Sequence, residues 1–196
     1  MKEYQYILFD LDGTLTDPKE GITKSVAYAL DYYGFSDEQG IEAVEKYREY
    51  FKPYGVYENK VYEGVDNLLK SLKESGKVII LATSKPIVFA KTILDHFDLM
   101  KYFDVVCGSE LDGRRVKKGD VIAYALEQTA LLENKAKVNK SLAVMIGDRE
   151  HDMIGAKENE IDAIGVLYGY GCIEEFRAHG ASKIFGKKLD KFYKKV

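Results

Sequence analysis

Short apolar segments that alternate with helical segments constrain the fold of this 196-residue chain more than any other feature. Strands are predicted over residues 4–9, 77–82, 103–107, 141–146 and 162–167. Helices are predicted over about residues 18–34, 37–51, 65–75, 86–97, 118–133 and 150–159, and a closing helix is expected over Lys187–Val196. The alternation is typical of a parallel, doubly wound sheet with helices on both faces, so the predicted fold class is α/β.

The segment between the first two predicted strands, residues 10–76, is far longer than a single crossover connection requires. Its apolar residues recur at helical spacing, and it carries no strand pattern. We therefore predict a small α-helical cap over residues 16–62, inserted after the first strand, and a core formed by residues 1–15 and 63–196.

Two carboxylates lie where the first strand ends. Asp10 and Asp12 are two residues apart, and a strand presents such residues on the same face, so both can point into one pocket. Gly13 lets the backbone bend close to an anion. Two unpaired carboxylates at this place would repel each other unless a cation lay between them. The pattern indicates a site for metal-assisted phosphoryl transfer.

Four motifs in order along the chain resemble the haloacid dehalogenase (HAD) superfamily of phosphatases. Residues Asp10–Thr14 match its Asp-x-Asp-x-Thr signature, and Val78–Ser84 form an apolar strand that ends in Thr83. Lys118 precedes a helix-like run, and Gly147–Asp152 follow another apolar strand. These motifs span nearly the whole chain and are similar to those of phosphoglycolate phosphatase-like and nucleotidase-like members. The resemblance implies a doubly wound, Rossmann-like HAD core.

The resemblance also implies a role for each acidic residue. Asp10 would be the nucleophile that forms an aspartyl-phosphate, and Asp12 would first protonate the leaving alcohol and then activate water. Asp10, the backbone carbonyl of Asp12, and Asp148 would bind the metal, while Asp152 would orient a metal-bound water. Oxygen ligands favour Mg²⁺ as the cofactor. The alternatives are that Asp10 only holds metal, and that Asp148 and Asp152 are charge partners of a helix start.

A phosphate-binding set follows from the same resemblance. Thr83 and the backbone of Ser84 would hold phosphate oxygens, although both residues would also suit a simple helix cap. Lys118 would neutralise the phosphoryl group and the nucleophile, with the neighbouring Lys117 as the alternative. Lys85, which precedes a proline, either faces the substrate entrance or marks the start of a helix.

The composition argues against polymeric and membrane partners. The chain has 29 basic and 32 acidic residues and no basic block in its body, so a small phosphorylated metabolite suits it better than nucleic acid or a membrane surface. No apolar run has the length of a signal peptide or of a membrane span, so a cytoplasmic location is expected. The assembly is expected to be a monomer or a homodimer.

The predicted cap is shorter than the family pattern. Helical caps of phosphoglycolate phosphatase-like members usually carry a loop that folds over the substrate, whereas here Gly34–Asp37 join the first two helices almost directly. The resulting hypothesis is a Mg²⁺-dependent phosphatase that acts on phosphoglycolate-like compounds or nucleoside monophosphates. A phosphosugar mutase of the β-phosphoglucomutase type and a non-catalytic, phospho-ligand-binding regulatory protein are the alternatives.

Overall fold

A computed structural model of the chain describes residues 2–32 and 40–186. The strands are β1 (Tyr6–Phe9), β2 (Thr16–Asp17), β3 (Lys60–Val61), β4 (Val78–Pro86), β5 (Val105–Ser109), β6 (Ala143–Gly147), β7 (Asp162–Val166) and β8 (Lys183–Phe185). The helices are α1 (Lys19–Tyr32), α2 (Gly40–Tyr50), α3 (Val65–Glu74), α4 (Ile87–His96), α5 (Lys118–Leu132), α6 (Glu150–Glu158) and α7 (Ile173–Ala178). None of the helices in these two ranges is long and apolar enough to cross a membrane.

Six of the strands form one parallel sheet in the order β5-β4-β1-β6-β7-β8. Side chains of β1 alternate between two buried clusters, as the period of a strand requires. Ile7 and Phe9 lie in the cluster that α3 and α4 cover, whereas Tyr6 and Leu8 lie in the cluster that α5 and α6 cover. The prediction of a doubly wound α/β fold is confirmed.

The register of the central strands brings the predicted site residues to one edge of the sheet. Phe9 in β1 pairs with Leu81 in β4 on one side and with Ile146 in β6 on the other. The residues that follow these three positions therefore meet at the carboxyl end of the sheet, where open α/β folds bind ligands.

The segment after β1 contains two short strands, so the expectation of no strand between β1 and β4 is wrong. Thr16 pairs with Val61 and Asp17 with Lys60 in an antiparallel ladder, at the point where the chain enters and leaves the helical segment. Such two-residue strands are too short to give an alternating pattern in the sequence. The boundaries of the cap at residues 16–62 stay a prediction.

Within the helical segment, α1 packs closely against a π-helical turn, Phe51–Gly55, that follows α2. A Cβ atom on Gly21 would lie 2.0 Å from the carbonyl oxygen of Gly55, so a glycine is needed at this crossing. Phe51 is buried in the cluster beneath α3 and α4, which attaches the turn to the sheet. The Gly34–Asp37 connection and the expected closing helix over Lys187–Val196 lie outside the described residues.

One further boundary differs from the sequence-based expectation, and two elements were not predicted. β4 continues to Pro86 instead of ending at residue 82, because its pairing with β5 shifts register and resumes between Pro86 and Ser109. The Ser109 hydroxyl donates to the carbonyl oxygen of Ser84 at 2.8 Å and holds this irregular end. The edge strand β8 and the short helix α7 were not predicted.

Candidate active site

Lys118 lies at the centre of the site, at the first position of α5. Its ammonium group is 2.7 Å from Asp10 Oδ1 and 2.9 Å from Asp152 Oδ1, and it donates to the carbonyl oxygen of Ala82 at 3.0 Å. Although burial acts in the opposite direction, the two carboxylates hold the pKa of Lys118 above its ordinary value. The lysine is therefore a fixed cation inside the cluster.

Lys117, the alternative that the sequence left open, is exposed at the residue before α5. The neighbouring Lys118 is buried. The structure thus places Lys118 against the predicted nucleophile, and leaves Lys117 at the surface.

Three carboxylates converge beside Lys118. Oxygen atoms of Asp10, Asp148 and Asp152 all lie within 4.8 Å of one another. Asp148 and Asp152 are each 1% exposed, so solvent does little to screen their repulsion. One ammonium group cannot balance three buried carboxylates, and a set of hard oxygen ligands at this spacing suits a divalent cation such as Mg²⁺. The residues present therefore fit the metal that the sequence predicted.

Asp148 directly follows β6, and the surrounding backbone is shaped around its side chain. The Tyr170 N–H donates to Oδ2 at 2.8 Å, and the Thr14 hydroxyl donates to Oδ1 at 3.4 Å. Gly13 has a φ of 79°, and a Cβ there would lie 2.1 Å from Asp148 Oδ2. Burial raises the pKa of Asp148 to about 7; the Tyr170 N–H acts against this shift, and the Asp10 charge adds to it.

Asp152 lies in the first turn of α6 and serves the helix as well as the cluster. Its Oδ2 accepts the Arg149 N–H at 3.0 Å, which caps the helix start. Its other oxygen faces Lys118. Burial raises the pKa of Asp152, while the lysine acts against the shift. The sequence offered two interpretations of Asp152, as a charge partner of the helix start and as a residue of the site. The contacts of its two oxygens are compatible with both.

Thr83 and Ser84 lie at the irregular end of β4 and line a cavity of about 400 Å³ together with the acidic cluster. The Thr83 side chain is buried, and its hydroxyl oxygen accepts the Lys85 N–H at 3.2 Å. Ser84 is exposed to the cavity side of the strand end. Both residues therefore line the same cavity as Asp10.

The first turn of α1 forms the wall of the cavity opposite the sheet. Pro18, Lys19, Ile22 and Thr23 line this wall. The Tyr170 hydroxyl donates to Asp17 Oδ1, and thereby ties the loop after β7 to the start of the helix. The beginning of α1 thus borders the cavity that contains the acidic cluster.

For two residues of the site, the contacts that the structure shows were not predicted. Lys85 lines the cavity, but its 2.8 Å ion pair with Asp12 was not foreseen. Tyr170 lies in a Gly-Tyr-Gly turn after β7, far in sequence from every motif. Lys85 carried a signal, because it directly follows Thr83 and Ser84, whereas Tyr170 carried none.

Comparison with known proteins identifies the family of the chain. Residues 31–166 match the family model described as haloacid dehalogenase-like hydrolase, although this match begins after Asp10 and Asp12. A 5'-nucleotidase from Pseudomonas aeruginosa is 42% identical over 202 residues, which cover 90% of this chain and 88% of that protein. The crystal structure of a predicted phosphatase from Clostridium acetobutylicum matches with a TM-score of 0.87 and 44% identity, over 98% of both chains.

A third relative carries a different name. Tyrosine-protein kinase PtkA of Mycobacterium tuberculosis is 35% identical over 191 residues, which cover 85% of this chain and 63% of PtkA. A PtkA structure matches with a TM-score of 0.80 and 30% identity, over 100% of this chain and 99% of that one. The family model matches more than half of the chain, and the Pseudomonas aeruginosa relative is more than 30% identical over most of it. The chain therefore belongs to the haloacid dehalogenase-like hydrolases.

Proposed function

We propose that this protein is a Mg²⁺-dependent phosphatase that hydrolyses small phosphomonoesters through an aspartyl-phosphate on Asp10. The observation that carries the proposal is the contact of Asp10 Oδ1 with the buried Lys118 ammonium, 2.7 Å away, in a cavity that also contains Asp148 and Asp152. A carboxylate so placed is held in position, and its negative charge is partly balanced, before a phosphate arrives.

In the proposed mechanism, an Asp10 oxygen attacks phosphorus and the bond to the leaving oxygen breaks. Asp12 gives its proton to the departing alcohol and becomes a carboxylate. Asp12 then takes a proton from a water molecule as that water attacks the aspartyl-phosphate, which releases phosphate and restores Asp10. Thr83, the Ser84 N–H and Lys118 hold the phosphoryl oxygens during both steps.

The metal site would consist of Asp10, Asp148, the Asp12 backbone carbonyl, and Asp152 in contact with a bound water. A bound Mg²⁺ supplies positive charge that offsets the negative charge of the phosphoryl group. The carboxylates of Asp10, Asp148 and Asp152 support this assignment, because they are close together and outnumber the one lysine between them.

Nucleoside monophosphates are the first substrate class to test, and phosphoglycolate is the second. The 42% identity with a protein named 5'-nucleotidase supports the former. The cavity of about 400 Å³ lies within the range of about 300–1,000 Å³ that is typical for small-molecule sites. Such a substrate would place its leaving group against the α1 wall.

The test is Mg²⁺-dependent phosphate release from nucleoside monophosphates, phosphoglycolate, sugar phosphates and p-nitrophenyl phosphate. The Asp10→Asn variant is the control, because it keeps the size of the side chain and removes the nucleophile. We expect release by the wild type and a loss of at least about 10³-fold in the variant. Release that persists in the variant would overturn the aspartyl-phosphate mechanism.

A second candidate function is phosphoryl transfer to a tyrosine side chain, which the similarity to PtkA favours. Transfer from ATP to a tyrosine-containing peptide is measured in the same buffer. Peptide phosphorylation without release from the small esters would favour this candidate. Conversion of a sugar phosphate into its isomer would instead favour the mutase, and binding of the esters without turnover would favour a regulatory protein.

A further inference from the structure

Lys85 is a second buried cation of the site, and it contacts a different carboxylate from Lys118. Its ammonium group is 2.8 Å from Asp12 Oδ2, and its side chain is only 7% exposed. Within the described residues, the other oxygen of Asp12, Oδ1, is buried and accepts no hydrogen bond. The two oxygens of this carboxyl group therefore differ: one is fixed by a lysine and the other is free.

The segment after α2 fixes Lys85 from the opposite side. The ammonium group lies 4.9 Å from the centre of the Phe51 ring, a distance at which a cation is attracted to an aromatic face. Phe51 is itself held by Tyr47, whose ring stacks on it at 5.2 Å, and by Phe89, whose ring meets it edge-on at 5.2 Å. Lys85 thus connects the helical segment to the carboxyl group of Asp12.

We infer that Lys85 is a positioning residue for Asp12, and that Phe51 positions Lys85. This inference rests on the proposed function, in which Asp12 protonates the leaving alcohol. With Oδ2 held by Lys85, Oδ1 is the oxygen left to carry the proton. When the bond between phosphorus and the leaving oxygen breaks, the electron pair passes to that oxygen, which takes the proton from Oδ1.

The Lys85 ammonium group also favours the direction of this transfer. Asp12 is neutral before it gives up the proton and negative afterwards, so its attraction to the Lys85 ammonium grows as the leaving group departs. An interaction that strengthens toward the transition state accelerates the reaction, whereas one of constant strength only aids binding. The effect of Lys85 should therefore depend on how much the leaving group needs a proton.

The test compares kcat/KM for two esters with different leaving groups at a fixed Mg²⁺ concentration. A nucleoside monophosphate releases an alkoxide that requires protonation, whereas p-nitrophenyl phosphate releases a phenolate that leaves without it. In Lys85→Met we expect kcat/KM to fall about 10- to 100-fold for the nucleotide and less than about 3-fold for the aryl ester. Lys85→Arg, which keeps the charge, should recover part of the loss.

Two further variants keep the test decisive. Phe51→Leu removes the aromatic face and should produce a smaller loss with the same selectivity for the nucleotide. If circular dichroism shows that Lys85→Met does not fold, Phe51→Leu replaces it in the comparison of the two esters. Lys91→Met, at an exposed position of α4, is the matched control and should change neither substrate.

An equal loss for both esters in Lys85→Met would overturn the inference, because it would assign Lys85 to binding of the phosphate group. Unchanged rates for both esters would overturn it as well, since the ion pair would then be structural only. Failure of the wild type to hydrolyse either ester would instead overturn the proposed function and the inference with it. The Asp10→Asn control separates that case from the others.

Discussion

Replacing Asp148 by asparagine should change how the stability of the metal-free protein depends on pH. Burial raises the pKa of Asp148 to about 7 from an ordinary value of 3.8. A carboxyl group with a raised pKa binds its proton more tightly in the folded state than in the unfolded state. Its contribution to stability is therefore fully present below about pH 3.8 and is lost as the pH rises through about 7.

The size of the effect follows from the difference between the two pKa values. That difference is about 3 pH units, and each unit corresponds to about 1.4 kcal/mol, so the loss amounts to about 4 kcal/mol. Asparagine has nearly the same size and stays neutral throughout, and its amide oxygen can accept the Tyr170 N–H that Asp148 Oδ2 accepts at 2.8 Å. The variant should become more stable than the wild type by up to about 4 kcal/mol between pH 4 and pH 8.

Urea unfolding of both proteins from pH 4 to pH 8 in the presence of EDTA measures this difference, provided that the two m-values agree. Addition of Mg²⁺ at pH 8 should stabilise the wild type more than the variant, because a ligand stabilises the state that binds it. A difference in unfolding free energy that stays constant over the whole pH range would refute the reasoning.

Asp162 provides a control, because its effect on stability should depend on pH in the opposite direction. Although burial acts the other way, Lys2 and Tyr4 hold the pKa of Asp162 below its ordinary value. The stability it contributes is present above the unfolded pKa and is lost as the pH falls through the lower, folded value. Asp162→Asn should therefore be less stable than the wild type at neutral pH, and the difference in unfolding free energy should shrink in acid. This pH dependence is opposite to that of Asp148→Asn.

Two further substitutions test the cluster. Lys118→Met leaves the buried Asp10 and Asp152 without their cation, so we expect a loss of about 3–5 kcal/mol in unfolding free energy and no phosphate release. A loss below about 1 kcal/mol would contradict this, since exposed ion pairs cost no more. Gly13→Ala would place a Cβ 2.1 Å from Asp148 Oδ2, so calorimetry should show Mg²⁺ binding at least about 10-fold weaker. Gly76→Ala is its control, because Gly76 has a φ of 70° with nothing within 4 Å of a Cβ; equal binding by both variants would contradict the prediction.

The parallel sheet could be predicted because its central strands are buried on both faces. β1 and β6 are continuous apolar runs, and such runs stand out between helical segments. β8 has only three residues, all half-buried, and α7 has six residues. Their positions depend on packing against β7 and α6 rather than on their own pattern, so neither element could be predicted.

The approach of Asp10 and Asp148 to each other could be predicted because each directly follows a strand, and parallel strands end at one edge. The contacts of Lys85 and Tyr170 could not. The pairing of Lys85 with Asp12 depends on the irregular end of β4, where the register with β5 shifts. The Tyr170 N–H reaches Asp148 because the loop after β7 passes close to the residue that follows β6. Both contacts arise from tertiary approach, which periodicity does not encode.

The charges of the site explain why one cluster can both repel and accept a phosphate. Four carboxylates, Asp10, Asp12, Asp148 and Asp152, face two ammonium groups, so the fully ionised cluster carries a net charge of −2. A phosphate dianion would be repelled by that charge at short range in a poorly screened site. A divalent cation brings the sum to zero. The stability that the buried carboxylates cost the metal-free protein is thus the same property that would make metal and phosphate binding interdependent in the proposed mechanism.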